Sequence, residues 1–312
     1  MIEWWQKRNI RKYSDIIAKI NYSNNDASDW IEKCKYFFDS LNQIWNDYYH
    51  FQKQNKLLVP EDESAIWPDN KGFQNLLLAQ NDTLKVELAN SDEVNKLIFI
   101  LPKIMNHDTL RRENYDPFDI SEILIKKSTD EHRQLENAYN RFKTNESDID
   151  LIDSFCKKLT KILYIVRSNI AHGEKTPNGP DLEKTNRDKT VCRIIQPILY
   201  KILQIIFDEP LRKLATYGTL QPDESNHDII KNYTGVWLDA TLEGKIEYLN
   251  GLPYFEWLQN GINHNIKVLV LEKIDFNWEY LDKFEGESYK RIWIPVKVGN
   301  EFIVAQVYEI KK

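Results

Sequence analysis

One change of period divides this chain. Up to Phe207 the apolar residues recur at helical spacing. From Leu214 onward the segments are short, rich in β-branched and aromatic residues, and broken by turns. Two architectures are therefore expected within the 312 residues, a length that accommodates two domains. The boundary is placed at about 210, where Asp208-Glu209-Pro210 closes the helical pattern. Residues 1–210 are expected to form an all-α bundle and 211–312 a small mixed β-barrel, a multidomain protein of α and α+β class.

Within the first part, Trp30, Cys34, Phe37, Phe38, Leu41, Ile44, Trp45 and Tyr48 mark a strong amphipathic helix over Trp30–Phe51. Its aromatic stripe is expected to be core. Residues 1–20 carry Lys7, Arg8, Arg11, Lys12 and Lys19, which predicts a basic helix with a solvated face. Residues 55–75 read as loop around Pro60 and Pro68, followed by helices at 73–90 and 92–105 and a linker at 106–120. Helices are expected again at 121–144 and 148–172, with a polar loop at 173–186. Asp188 or a neighbour is expected to cap the next helix, and Pro197 to kink it. In the second part, strands are expected at 213–217, 236–248, 266–272, 290–298 and 301–309, with a short helix at 278–284. The last two strands flank Gly299-Asn300, a two-residue hairpin signal.

Composition narrows the function classes. The net charge of −6 is not that of a nucleic-acid binder, so any RNA-binding face is a local basic patch. Residues 213–312 hold 11 Lys/Arg and 15 Asp/Glu, a net of −4; the rest carries 31 against 33, a net of −2. No apolar stretch is long enough for a transmembrane helix, and the first residues lack a signal peptide's apolar core. Cys34, Cys156 and Cys192 are widely spaced and odd in number, expected as reduced core thiols of a cytoplasmic protein. No metal or cofactor is expected.

Two constellations carry chemistry. The first is Arg167-Ser-Asn-Ile-Ala-His172-Gly173, at the end of a helix carrying Phe155, Leu159, Ile162, Leu163 and Val166. A histidine can act as general acid or base near neutral pH, and an arginine can hold a phosphate. Five residues apart, the two lie about 140° apart around a regular helix. They meet only through a distorted helix end or a second copy across a two-fold axis. The stretch resembles the Arg-x4–6-His signature of HEPN domains, all-helical proteins of which many are metal-independent ribonucleases acting in toxin systems or phage defence. The resemblance implies catalytic roles for Arg167 and His172, an RNA substrate and homodimerisation. Ser168 stands where the family often has Asn, Asp or His, and Asn169 is the polar group at hand to bind substrate instead.

The second is Tyr217-Gly218-Thr219-Leu220 together with Leu281-Asp-Lys-Phe-Glu285-Gly-Glu-Ser-Tyr289-Lys-Arg291. A glycine after a strand lets backbone N–H groups approach a ligand closely and can hold a carboxylate. The pair resembles the γ-glutamylcyclotransferase family, including its AIG2-like members, over about 214–310. That implies a barrel with flanking helices, with Glu285 as general base and the loop Tyr217, Gly218, Thr219, Leu220 on the α-carboxylate of a γ-glutamyl compound. Tyr289 is expected to line the pocket. Gln221-Pro222-Asp223 departs from the basic and glycine residues often found after the loop.

Three functions remain open on the sequence. One is an HEPN-type endoribonuclease whose barrel senses or modifies a γ-glutamyl-type metabolite, with an antitoxin or regulator as partner. The second is a metabolic cyclotransferase whose helical part only dimerises it. The third is a non-catalytic regulatory binding protein.

Overall fold

The computed structural model describes residues 11–25, 29–59, 68–100, 130–171, 181–249, 251–272 and 275–311. In chain order the helices are α1 (Arg11–Asn25), α2 (Trp30–Gln54), α3 (Pro68–Leu78), α4 (Asp82–Ala89), α5 (Asp92–Ile100), α6 (Asp130–Thr144), α7 (Ile149–Ala171) and α8 (Leu182–Ile206). After them come β1 (Lys213–Thr216), β2 (Gly235–Leu249), β3 (Leu252–Glu256), β4 (Ile262–Leu271), α9 (Trp278–Glu285), β5 (Tyr289–Val298) and β6 (Glu301–Ile310). The chain divides into two compact units. One lies between Asp26 and Ile205; the other joins the segment up to Asn25 to everything from Ile206 onward.

The helical unit buries the stripe that the sequence marks out. Asp29 opens α2 by accepting from the N–H of Ile31 (2.8 Å) and of Glu32 (3.4 Å). Phe37, Leu41, Ile44 and Trp45 are fully buried, and Trp45 packs on Phe73 of α3 with ring centroids 4.6 Å apart. Phe155 of α7 stacks on Phe142 of α6 at 6.2 Å. All three cysteines are buried and unbridged. Lys85 of α4 is an interior charge: its side chain, 2% exposed, reaches Asp153 at 2.6 Å and Asp82 at 2.7 Å.

Three features of the helical unit differ from expectation. The single helix expected at 73–90 is two, α3 and α4, because Asn81 opens a new helix by accepting from the N–H of Thr83 (2.8 Å). α3 begins at Pro68, inside the stretch read as loop, because proline is favoured in the first helical turn, where its missing N–H costs nothing. α8 begins at Leu182, not near Asp188. Asp181 is the acceptor for the N–H of Lys184 (3.2 Å), while Asp188 is a buried residue inside the helix. α8 continues through Pro197. The linker expected at 106–120 lies outside the described residues.

In the second unit β2, β4, β1, β6 and β5 pair in that order, and β2 also pairs with β5, which closes a five-stranded barrel. β2 is long enough to serve twice. Gly235–Gly244 pair with Leu271–Ile262 of β4, and Lys245–Leu249 pair with Glu256–Leu252 of β3, a short strand missing from the sequence reading. The β5–β6 hairpin turns at Gly299-Asn300, with Val298 opposite Glu301. Ala215, Leu242, Phe255, Val268, Ile294 and Val307 fill the barrel. A second cluster lies outside it: Leu214, Leu269, Leu271 and Tyr308 are covered by Leu220, Ile230, Phe276 and Leu281. β1 is buried on both faces for that reason.

α1 belongs to this unit, whereas the sequence reading placed residues 1–210 in one helical domain. Opposite its polar face, α1 buries Tyr13, Ile16, Ile17 and Ile20. Asn21 fixes it to β5 by two bonds to one residue: its Nδ2 donates to the Trp293 carbonyl (2.7 Å) and its Oδ1 accepts from the Trp293 N–H (2.8 Å). These bonds complete the polar groups of a tryptophan that is itself buried.

Candidate active site

The loop after β1 is held by its neighbours. Gln221 donates its N–H to the Gly218 carbonyl (3.1 Å) and its side-chain amide to the Thr216 carbonyl (2.7 Å). Asn226 grips Thr219 twice, N–H to carbonyl at 3.0 Å and Nδ2 to Oγ1 at 2.9 Å. Gln221, the departure noted above, thus closes the loop. Among the described residues the N–H groups of Gly218, Thr219 and Leu220 make no hydrogen bond. Three successive free donors on one loop are groups that can hold an anion. Gly218 is required by packing: a Cβ there would lie 2.6 Å from Pro253 Cγ of β3.

α9 supplies the carboxylate. Asn277 caps its start by accepting from the N–H of Tyr280 (3.1 Å). Leu281 is fully buried in the outer cluster, and Glu285 follows one turn later on the same face. Gly286, at φ +79°, ends the helix in a conformation open to glycine at no steric cost. Asp282 fastens the helix to the barrel, accepting from Arg291 Nε (2.9 Å) and Nη2 (3.3 Å) and from the Tyr308 hydroxyl (2.7 Å). The Arg291 guanidinium also lies 4.4 Å from the Trp278 ring centroid. Burial pushes the Glu285 carboxyl up to about 7, and no donor or cation offsets it. Its place in the last turn of a helix, next to unpaired carbonyls, disfavours ionisation in the same sense.

These elements enclose one cavity of about 190 Å³. Tyr217, Gly218, Thr219, Leu220, Glu285 and Tyr289 all line it, so the fold gathers residues 68 positions apart in sequence. Asn226, Leu252, Pro253, Phe284 and Tyr308 line it too and were missed as site residues. Two carry a signal: Phe284 lies within the Leu281–Arg291 segment, and Tyr308 lies in the strand expected at 301–309. Leu252 and Pro253 arrive on a strand too short to be read from period. The volume lies below the roughly 300–1,000 Å³ of a drug-sized pocket and fits an amino-acid-sized group. A carboxyl poised near neutrality in the same cavity as free N–H donors can take a proton from a substrate amine while those donors hold the substrate's carboxylate.

The first constellation is not part of this cavity. Arg167 and Asn169 are half-buried in the last turns of α7. Arg167 Nη2 donates to Asn42 Oδ1 of α2 (3.2 Å), and its guanidinium lies 5.7 Å from the Tyr164 ring. His172 lies outside the described residues. Among the described residues no cluster of His, Cys, Asp or Glu could hold a metal ion, and no helix is long and apolar enough to cross a membrane.

The closed barrel thus carries α9, the helix with Glu285, against its outer face, where Leu281 shares a cluster with Leu214 of β1 and Tyr308 of β6. Residues 214–312 match the family model for gamma-glutamyl cyclotransferase, AIG2-like, and the C-terminal region is an AIG2-like domain of cyclotransferase type. The match does not extend into the helical unit. Among solved structures, an uncharacterized protein from Pyrococcus horikoshii is similar at 21% identity; the match covers 32% of this chain and 78% of that one, with a TM-score of 0.24. No curated protein gives a significant match.

Proposed function

We propose that the C-terminal domain cyclises a γ-glutamyl amide to 5-oxoproline and releases the amine. The observation that carries this reading is the half-buried Glu285 carboxyl, unpaired and held near 7, in the same small cavity as three free backbone donors. The N–H groups of Gly218, Thr219 and Leu220 take the α-carboxylate. Glu285 removes a proton from the α-ammonium, and the freed amine closes on the γ-carbonyl. The enzyme contributes chiefly by holding one near-attack conformer. The test is chromatographic detection of 5-oxoproline from γ-glutamyl amides. Wild type forms it and Glu285→Gln does not; equal yields from the two would remove Glu285 from the mechanism.

A second reading concerns the helical unit, and its support is the Arg167–His172 motif at a helix end. It makes this unit an HEPN-type, metal-independent ribonuclease, dimeric, with RNA as substrate and a toxin or defence role restrained by a regulator. Induced expression in a bacterial host tests it. Growth arrest with RNA degradation that disappears in Arg167→Ala and His172→Ala supports it; intact RNA in all three removes it and leaves the helical unit a dimerising or regulatory part.

A further inference from the structure

Three tyrosines line the cavity, and two of them have their hydroxyl protons engaged. Tyr217 donates to the Tyr308 carbonyl (2.9 Å), and Tyr308 donates to Asp282 (2.7 Å). The Tyr289 hydroxyl has no partner among the described residues. Its position is nonetheless well fixed. Tyr289 is the first residue of β5, paired with Ile310, and its N–H donates to the Gly286 carbonyl (3.3 Å). Its ring lies parallel to that of Tyr254 on β3, 2° apart in plane and 5.8 Å between centroids, an offset stack. Burial holds the phenol up at about 12, with Tyr254 and Glu285 adding to the effect, so it keeps its proton at any pH where Glu285 titrates.

Cyclisation creates a need for such a donor. When the α-amine attacks the γ-carbonyl, the carbon–oxygen π pair moves onto oxygen and leaves an oxyanion. The loop N–H groups are occupied by the α-carboxylate, and Glu285 is occupied with protons on nitrogen. We propose that the Tyr289 hydroxyl donates a hydrogen bond to this oxygen, and that Tyr254 is a positioning residue that holds the Tyr289 ring by stacking. This rests on the reading of Glu285 as the base. The balance is as follows. Glu285 takes one proton from the α-ammonium and passes it to the departing nitrogen. It then takes a second from the ring nitrogen formed by the attack. The oxyanion pair re-forms the carbonyl, the bond to the amine breaks, and the amine receives the second proton. Tyr289 keeps its own proton throughout.

The test uses the full chain with L-γ-glutamyl-n-butylamide, following 5-oxoproline. Loss of one oxyanion donor lowers kcat roughly 100- to 1,000-fold. Tyr289→Phe is therefore expected to lose about that much kcat with KM nearly unchanged and the acid limb of the pH profile still near 7. Thr219→Val, which removes the hydroxyl that Asn226 Nδ2 holds and so loosens the carboxylate loop, is expected to raise KM instead. Tyr254→Ala lowers kcat at constant KM, and Tyr254→Phe, which keeps the stack, restores it. Tyr289→Phe with kcat within threefold of wild type overturns the donor role and leaves Glu285 as base untouched. Activity in Glu285→Gln overturns the underlying reading, whatever Tyr289→Phe does.

Discussion

Glu285→Gln should make the barrel more stable above neutral pH and leave it unchanged in acid. Glutamine has nearly the shape of the protonated acid and, like it, carries no charge. Folding raises the Glu285 carboxyl from the usual 4.5 to about 7. Between those values the folded state binds more protons than the unfolded one, so wild-type stability falls as pH rises through that window. Below about 4.5 the cost is absent, and above about 7 it is complete. At about 1.36 kcal/mol per pH unit the full cost is about 3 kcal/mol, reduced to about 2 kcal/mol by the water that reaches a half-buried group. The assay is amide hydrogen exchange read by mass spectrometry on peptides of β5 and β6, which reports opening of this unit alone. At pH 8 the Gln variant is expected to open with a free energy about 2 kcal/mol higher than wild type, and at pH 4.5 with the same one. Identical values at both pH values would show that Glu285 is not desolvated, and the case for it as a neutral-pH base would fall.

Three further outcomes follow from the same geometry. The kcat/KM for 5-oxoproline release is expected to rise tenfold per pH unit below about 7 and level off above it, because only the ionised Glu285 accepts a proton; a flat profile from pH 5 to 8 counts against that role. Lys85→Met is expected to destabilise the helical unit by about 2 kcal/mol in urea denaturation, less than the 3–5 kcal/mol of a fully buried pair, since Asp82 and Asp153 keep access to water. Asn21→Ala is expected to cost the barrel about 2–3 kcal/mol by hydrogen exchange, because it leaves the N–H and carbonyl of buried Trp293 without the partners that α1 provides.

Much of the barrel was legible because each of its long strands has its own period and its own turn. Gly299-Asn300 set the register of β5 and β6, and Val298 does face Glu301. β3 was not legible: five residues with a proline give no period, yet Pro253 forms one wall of the cavity and fixes Gly218. The place of α1 was hidden for a different reason. Its Ile16, Ile17 and Ile20 read as one helix face, but nothing local states which core that face will join. The answer lies 272 residues away, at Trp293. The start of α8 was misplaced because Asp181 and Asp188 are equally good caps in isolation, and only the burial of Asp188 separates them.

The two candidate sites differ in what a sequence match can mean. Tyr217 and Glu285 lie 68 residues apart, and nothing in either segment obliges them to meet. The fold places both in one cavity, with Leu281 anchoring the helix that carries Glu285 and Gln221 closing the loop that carries Gly218. Two segments chosen for their chemistry have converged, and that convergence is information beyond the match itself. Arg167 and Asn169 are neighbours on one helix whatever they do. Their proximity adds nothing to the motif, and the guanidinium of Arg167 already has an acceptor in Asn42. A contiguous motif at a helix end therefore needs a partner group from elsewhere, across a dimer axis or from another segment, before geometry can speak for it. A dispersed motif that converges carries such partners with it, and for that reason the chemistry is assigned first to the barrel.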